Sequence, residues 1–165
     1  MFNQYTYRPI VDEDFSFLRK VYSESRAEEL AMLKSWTEEQ KLMFINQQFD
    51  AQHAHYRKHY SEAEFLIIEI EKDKIGRLYL EEMKDEFRII DIALLSKWRG
   101  KGIGKAILQE IVEKATIKKK SVSIHVEKNN PALGLYKFLG FEEKEDKGVY
   151  WFMEKKCAEK VYENR

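Results

Sequence analysis

The sequence predicts an α/β (α+β) chain, a mixed sheet with helices packed on its faces. Three observations carry that expectation. Residues 64–95 give successive strand signals separated by short charged turns, which reads as an antiparallel meander. Residues 88–120 then run strand, glycine-rich turn, helix. Beyond them, residues 121–126 alternate apolar and polar side chains, and a short helix and a hairpin follow.

Taken in order, Tyr5-Thr6-Tyr7-Arg8-Pro9-Ile10 alternates like a short first strand that Pro9 ends. Asp12 is placed to cap a helix whose apolar stripe is Phe15, Leu18, Val21 and Tyr22. Residues 23–61 are helical in tone. Thr37-Glu38-Glu39-Gln40 reads as a capping box, and Leu42, Met43, Phe44, Ile45 and Phe49 share the next helix with polar Gln40, Gln47 and Gln48. A strand over 64–71 turns at Lys72-Asp73-Lys74 and returns over 75–82, with Gly76 as a bulge or a point of close approach. The run from Ile89 to Leu95, apolar except for Asp91, suits a strand buried on both faces.

After the glycine turn, Ile103, Ile107, Leu108, Ile111, Val112 and Ala115 form one helical stripe. Lys118-Lys119-Lys120 complements the dipole at that helix's end as solvated charge. In the following strand Val122, Ile124 and Val126 face one way and Ser121, Ser123 and His125 the other. Asn130 as N-cap, Pro131 at the first helical position and Gly140 as a left-handed stop delimit a short helix. A hairpin about Lys147-Gly148 closes the chain.

With 165 residues, 44% of them apolar, a single domain over 1–165 with its own core is expected. Twenty-nine basic and 29 acidic residues cancel, which argues against nucleic acid or an anionic membrane as partner. Cys157 is the one cysteine, so no internal disulfide forms. Without a long apolar run or a basic leader, a soluble, cytoplasmic protein is expected, as monomer or homodimer.

The chemistry begins at Arg99-Gly100-Lys101-Gly102-Ile103-Gly104. Glycines at alternate positions permit positive φ and let a ligand approach the backbone. They precede a helix whose first N–H groups are unpaired, beside Arg99, Lys101 and Lys105, so the turn suits an anion, above all a phosphate. Two familiar phosphate loops do not fit. A dinucleotide fingerprint needs G-x-G-x-x-G, and a Walker loop needs glycine where Arg99 stands and Ser or Thr where Ala106 stands.

The segment resembles the acetyl-CoA loop of the GNAT acyltransferase superfamily, Arg/Gln-x-x-Gly-x-Gly/Ala, through Arg99, Gly102 and Gly104. A second stretch resembles the same family's Asn followed by a short helix carrying Leu-Tyr-x-x-x-Gly-Phe, through Asn129, Ala132, Leu135, Tyr136, Gly140 and Phe141. The resemblance implies a GNAT-type fold, a mixed, mostly antiparallel sheet of about seven strands flanked by about four helices. It implies acetyl-CoA as cosubstrate and no metal. Leu94 and Leu95 would pair with the pantetheine arm, and Arg99, Gly100, Lys101, Gly102, Ile103, Gly104 and Lys105 would hold the pyrophosphate, with Asn129 and Tyr136 completing the cofactor set.

Acyl transfer to an amine needs a neutral amine, donors for the oxyanion and a proton for the thiolate. The resemblance assigns the proton to Tyr136, whose alternative role is packing against pantetheine, and the oxyanion donor to a backbone N–H near Leu94. Asp91, a carboxylate in an apolar strand, is the candidate base, or else a structural acceptor. In many relatives water does the base's work. Glu24, Glu28 and Glu29 either attract a cationic amine or form a solvated helix face, and Trp36, Tyr56 and Tyr60 line a pocket or belong to the core. His53, His55 and His59 lack the partners of a metal site and read as solvated or partner-facing. The leading expectation is an N-acetyltransferase acting on an amine of a small molecule or protein in a direct ternary complex. A non-catalytic acyl-CoA-binding module, or a domain for another phosphorylated ligand, are the alternatives.

Overall fold

The computed structural model describes residues 4–157, which form seven strands and five α-helices. In chain order these are β1 (Tyr5–Pro9), α1 (Phe15–Ser25), α2 (Ala27–Ala31), α3 (Glu38–His59), β2 (Glu64–Ile70), β3 (Asp73–Glu82), β4 (Glu86–Leu94), α4 (Ile103–Ile117), β5 (Ser121–Glu127), α5 (Leu133–Phe138), β6 (Glu142–Asp146) and β7 (Tyr150–Lys155). The fifth helix, beyond the four expected, is α2, five residues long. Strand order is β1-β2-β3-β4-β5-β7-β6. β1/β2, β5/β7 and β6/β7 are antiparallel, whereas β4 and β5 run parallel because α4 carries the chain back between them. The result is the mixed, mostly antiparallel sheet that the sequence led us to expect.

The described residues group into two compact units, one comprising residues 4–78 with Ile92–Lys101, the other Tyr79–Asp91 with residues 102–157. In the first, Leu18 and Tyr22 of α1 and Ile45 and Phe49 of α3 close a core over Ile67 of β2. α3 starts as its sequence dictates: Thr37 Oγ1 accepts the Gln40 N–H at 3.1 Å, and the Thr37 N–H donates to Gln40 Oε1 at 2.8 Å. Of the apolar residues on this helix only Ile45 and Phe49 are buried, and Leu42 and Met43 are exposed.

Asp12 does not cap α1: it opens a 3-10 turn (Asp12–Asp14) that precedes the helix, and Asp14, the N-cap residue of α1, turns its side chain back to close that turn and not onto the helix. The buried Asp14 carboxylate accepts the Val11 N–H at 2.8 Å, takes both Arg8 Nη atoms at 2.8 and 2.9 Å, and meets Lys74 Nζ at 2.7 Å. The turn after β2 also comes earlier than its composition suggests. Glu71 adopts the left-handed conformation (φ 59°), and Asp73 and Lys74 already belong to β3. Gly76 is a point of close approach, since a Cβ there would run into the Ala93 carbonyl oxygen and Leu94.

In the second unit α4 packs on β5 through Ile103, Ile107, Leu108, Ile111 and Ala115, facing Val122, Ile124 and Val126. β4 is not buried on both faces. Phe87 and Ile89 are buried, but Arg88, Ile90 and Asp91 are only partly covered. Ser123, on the polar side of β5, is fully buried because its hydroxyl donates to Glu86 Oε1 and accepts from Arg88 Nε, each at 2.6 Å. Lys118 and Lys120 are not free solvated charges either. Both ammonium groups lie on Glu82 Oε2, at 2.9 and 2.7 Å, and with Lys120 leading they hold that carboxyl down to about 2. Every residue of β6 is exposed, and its charges suit an edge strand that must not recruit another chain. Among the described residues no helix is long and apolar enough to cross a membrane.

Candidate active site

The glycine turn is built as its spacing requires. Gly100 (φ 72°) and Gly102 (φ 87°) lie in the left-handed region, while Gly104 falls inside the first turn of α4. A Cβ at any of the three would meet nothing within 4 Å, so the turn presents open backbone. Gly102 is the N-cap of α4 and brings no side chain to satisfy the helix's first N–H groups. Arg99, Lys101 and Lys105 are exposed around it, which makes an anion the fitting ligand. Arg99 Nε donates to the Leu94 carbonyl at 3.0 Å, closing the turn and leaving the two Nη groups for a ligand. Lys105 Nζ lies 5.0 Å from the Phe138 ring centre. Ile103 is buried, so its backbone N–H is all that it can offer.

Leu94 and Leu95 likewise have buried side chains and act through backbone. The Leu95 N–H donates to the Ile75 carbonyl of β3 at 2.8 Å. Successive amides on a strand point to opposite edges, so the Leu94 N–H faces the other one. On that edge the pairing of β4 with β5 ends at Ile89↔Ile124, five residues short of Leu94.

Tyr136 is fixed by the way α5 stops. Gly140 takes φ 98°, the Phe141 N–H reaches back to the Tyr136 carbonyl at 3.0 Å and the Gly140 N–H to that of Lys137 at 3.0 Å. This is a Schellman closure, with the expected apolar contact between Phe141 and Tyr136, rings edge to face at 5.7 Å. The Tyr-x-x-x-Gly-Phe spacing is thus a device for holding one phenol. Burial, and secondarily the nearby charge of Asp91, raise that phenol's pKa well above its ordinary value. Asp91 itself is partly exposed, which removes the deep burial on which its reading as a desolvated base relied. Asn130 makes the turn before α5, accepting the Ala132 N–H on Oδ1 at 2.8 Å, but the helix starts only at Leu133 with Ala132 as its N-cap residue, so Asn130 and Pro131 precede it; Asn129 is exposed.

The remaining candidates separate. Glu29 pairs with Arg26, Glu28 is exposed, and Glu24 bonds Ser96. His55 and His59 stack at 4.1 Å, whereas His53 stacks on Phe49 at 5.9 Å with Phe15 edge-on, so it belongs to an aromatic cluster, not to solvent or a partner. Among the described residues no group of His, Cys, Asp and Glu could hold a metal. Trp36 packs edge to face on Phe44 and with Gln40, Met43 and Gln47 lines a depression of about 260 Å³; Tyr56 and Tyr60 do not line it. No periodicity or motif in the sequence announces the tie between Glu24 and Ser96. Its one local signal is that Leu95, which precedes Ser96, has no acceptor in its side chain.

A family model described as an acetyltransferase (GNAT) domain matches residues 61–143, half of the chain, including the glycine turn and all of α5. The chain belongs to the GNAT acetyltransferase family. Its fold is similar to that of the paia N-acetyltransferase from Thermoplasma acidophilum in complex with coenzyme A, at 22% identity, 92% coverage of this chain and 98% of that one, and a TM-score of 0.68. It is similar also to a spermidine N-acetyltransferase SpeG chimera from Vibrio cholerae and hSSAT (22% identity, 99% and 100% coverage, TM-score 0.64). A GNAT family acetyltransferase from Elizabethkingia anophelis with acetyl-CoA bound matches at 14% identity, 93% and 99% coverage and a TM-score of 0.58. At these identities the likeness is one of fold. No curated protein matches the chain.

Proposed function

We propose that the chain, as one domain over residues 1–165, is an acetyl-CoA-dependent N-acetyltransferase that acetylates a primary amine of a small molecule or protein by direct attack in a ternary complex. The observation that carries this reading is the open turn at Gly100–Gly104, backbone N–H groups at a helix start ringed by Arg99, Lys101 and Lys105. Solved relatives that carry coenzyme A or acetyl-CoA support the choice of ligand, and one named for spermidine supports an amine acceptor.

Acetyl-CoA supplies a reactive thioester. The turn's N–H groups and its three cations hold the diphosphate. Leu94 and Leu95 align the pantetheine arm along the edge of β4, with Asn129 beside it, and the Leu94 N–H donates to the carbonyl oxygen as negative charge develops there. Asp91, directly or through water, takes the proton of the attacking amine. As the new C–N bond forms and C–S breaks, Tyr136 gives its proton to the sulfur, whose thiol has a reference pKa of about 8.5. Because burial and then Asp91 raise its pKa, the phenol stays protonated throughout the working range. The supply of acid does not limit the rate at alkaline pH.

A thiol-release assay with acetyl-CoA and a panel of amines tests this. Turnover is expected with at least one amine, and Tyr136→Phe, which keeps the ring beside the coenzyme and removes the hydroxyl, should lower kcat by about a hundredfold or more and change the CoA Kd far less. The wild-type kcat should show no alkaline fall up to about pH 10, the ordinary range of a phenol. Tight CoA binding with no turnover on any amine would assign the chain to the non-catalytic acyl-CoA-binding modules. Failure to bind CoA would remove both readings.

A further inference from the structure

The turn that delivers Arg99 has a capping problem that its own sequence does not solve. Ser96–Trp98 is a 3-10 turn whose N-cap residue is Leu95, a side chain without an acceptor, so the Ser96 N–H lacks a local partner. The acceptor comes from 72 residues earlier in the chain. Glu24, in the last turn of α1, receives the Ser96 N–H at 2.6 Å and the Ser96 hydroxyl at 2.9 Å, both on Oε1. From Ser96 the bonding runs straight to Arg99. The Arg99 N–H donates to the Ser96 carbonyl at 3.2 Å, and Arg99 Nε to the Leu94 carbonyl at 3.0 Å. Burial pushes the Glu24 pKa up, but the two Ser96 bonds and the charges of Lys20 and Arg99 bring it below the usual carboxylate value, so the cap is an ionised one.

We propose that Glu24 is a positioning residue for coenzyme binding: its carboxylate caps the Ser96 turn from α1 and thereby holds Arg99 and the glycine turn in the conformation that receives a diphosphate. The inference rests on the reading that residues 99–104 hold the diphosphate. It gives Glu24 a role different from attracting the amine, and it makes the seating of α1 a determinant of coenzyme affinity.

The test compares wild type, Glu24→Ala, Glu24→Gln and Ser96→Ala by CoA calorimetry, by KM for acetyl-CoA and for the amine, by kcat, by melting temperature and by exchange of the Ser96 amide. Glu24→Ala should raise the CoA Kd and the acetyl-CoA KM about tenfold, the worth of a hydrogen bond to a charged acceptor, with kcat changed less than about twofold. Its Ser96 amide should exchange faster. Glu24→Gln keeps an acceptor and should recover most of the affinity. Ser96→Ala keeps the N–H bond and should weaken CoA by about threefold, so it still decides the matter if Glu24→Ala does not fold. A lower melting temperature with an unchanged Kd in either deletion variant would overturn the proposal and leave Glu24 a purely structural tie. A raised KM for the amine alone would overturn it in favour of an acceptor contact. Wild-type protein that does not bind CoA would overturn the diphosphate reading itself, a result unlike the other two.

Discussion

Gly76 matters for the atom it lacks. A Cβ at this position would run into the Ala93 carbonyl oxygen and come within 2.8 Å of Leu94 Cδ2, and backbone does not swing aside as a long side chain does. The close approach fixes β4 where Leu94 ends it. Gly76→Ala is therefore expected to cost about 1–3 kcal/mol through overpacking and to weaken coenzyme binding with it. Urea denaturation and CoA titration of the variant check both, and wild-type values in the two would contradict the contact. The other telling residue, Tyr136, is set by opposite means. Nothing is missing there; Phe141 is added against its ring, and burial together with Asp91 keeps the hydroxyl protonated.

At the scale of elements, α5 shows why some of the site could be read in advance. Gly140 as stop and Phe141 as the residue that folds back are local requirements, met within five residues of Tyr136, and they stand in the sequence in plain order. Gly140→Ala forces a side chain into the left-handed region at φ 98° and should cost about 1–2 kcal/mol. Because the closure runs through the Tyr136 carbonyl, its kinetic effect should fall on kcat more than on the KM for acetyl-CoA, which steady-state kinetics would show. A loss confined to KM would separate the closure from the acid. The start of α1 departs from its local pattern for the converse reason. Asp12 fits a cap by position alone, but the buried carboxylate there is Asp14, and what fixes it are Arg8 from β1 and Lys74 from β3, brought in from outside the helix. The cap over Ser96 is of that second kind, supplied by another element.

At the scale of the molecule, Asp14 ties β1, β3 and the entry to α1 into one unit, and it gives that unit an acid limit. Hydrogen bonds from Arg8 first, and then Lys74 and the Val11 N–H, hold its carboxyl well below the usual carboxylate range. A depressed carboxyl stabilises the fold fully above its unfolded value, about 3.9, and loses that contribution as pH falls toward the folded one. Asp14→Ala should cost about 3 kcal/mol at pH 7, the low end for opening a buried pair, because Arg8 and Lys74 keep a third of their side chains in water. The gap between variant and wild type should narrow progressively below about pH 4, measured by denaturant titration at pH 7 and pH 3. A constant gap would place the stabilisation in packing. Legible along the chain are features whose causes lie within one turn or one strand: alternation, the Thr37–Gln40 box, the glycine turn, the stop after Tyr136. Long-range packing alone makes Glu24 the cap of Ser96, makes Asp14 and not Asp12 the anchor, leaves Asp91 partly exposed and brings Gly76 against Leu94. Those depend on which distant segments are brought together, and a hydrogen bond or a collision across 72 residues leaves no period in the chain to be read.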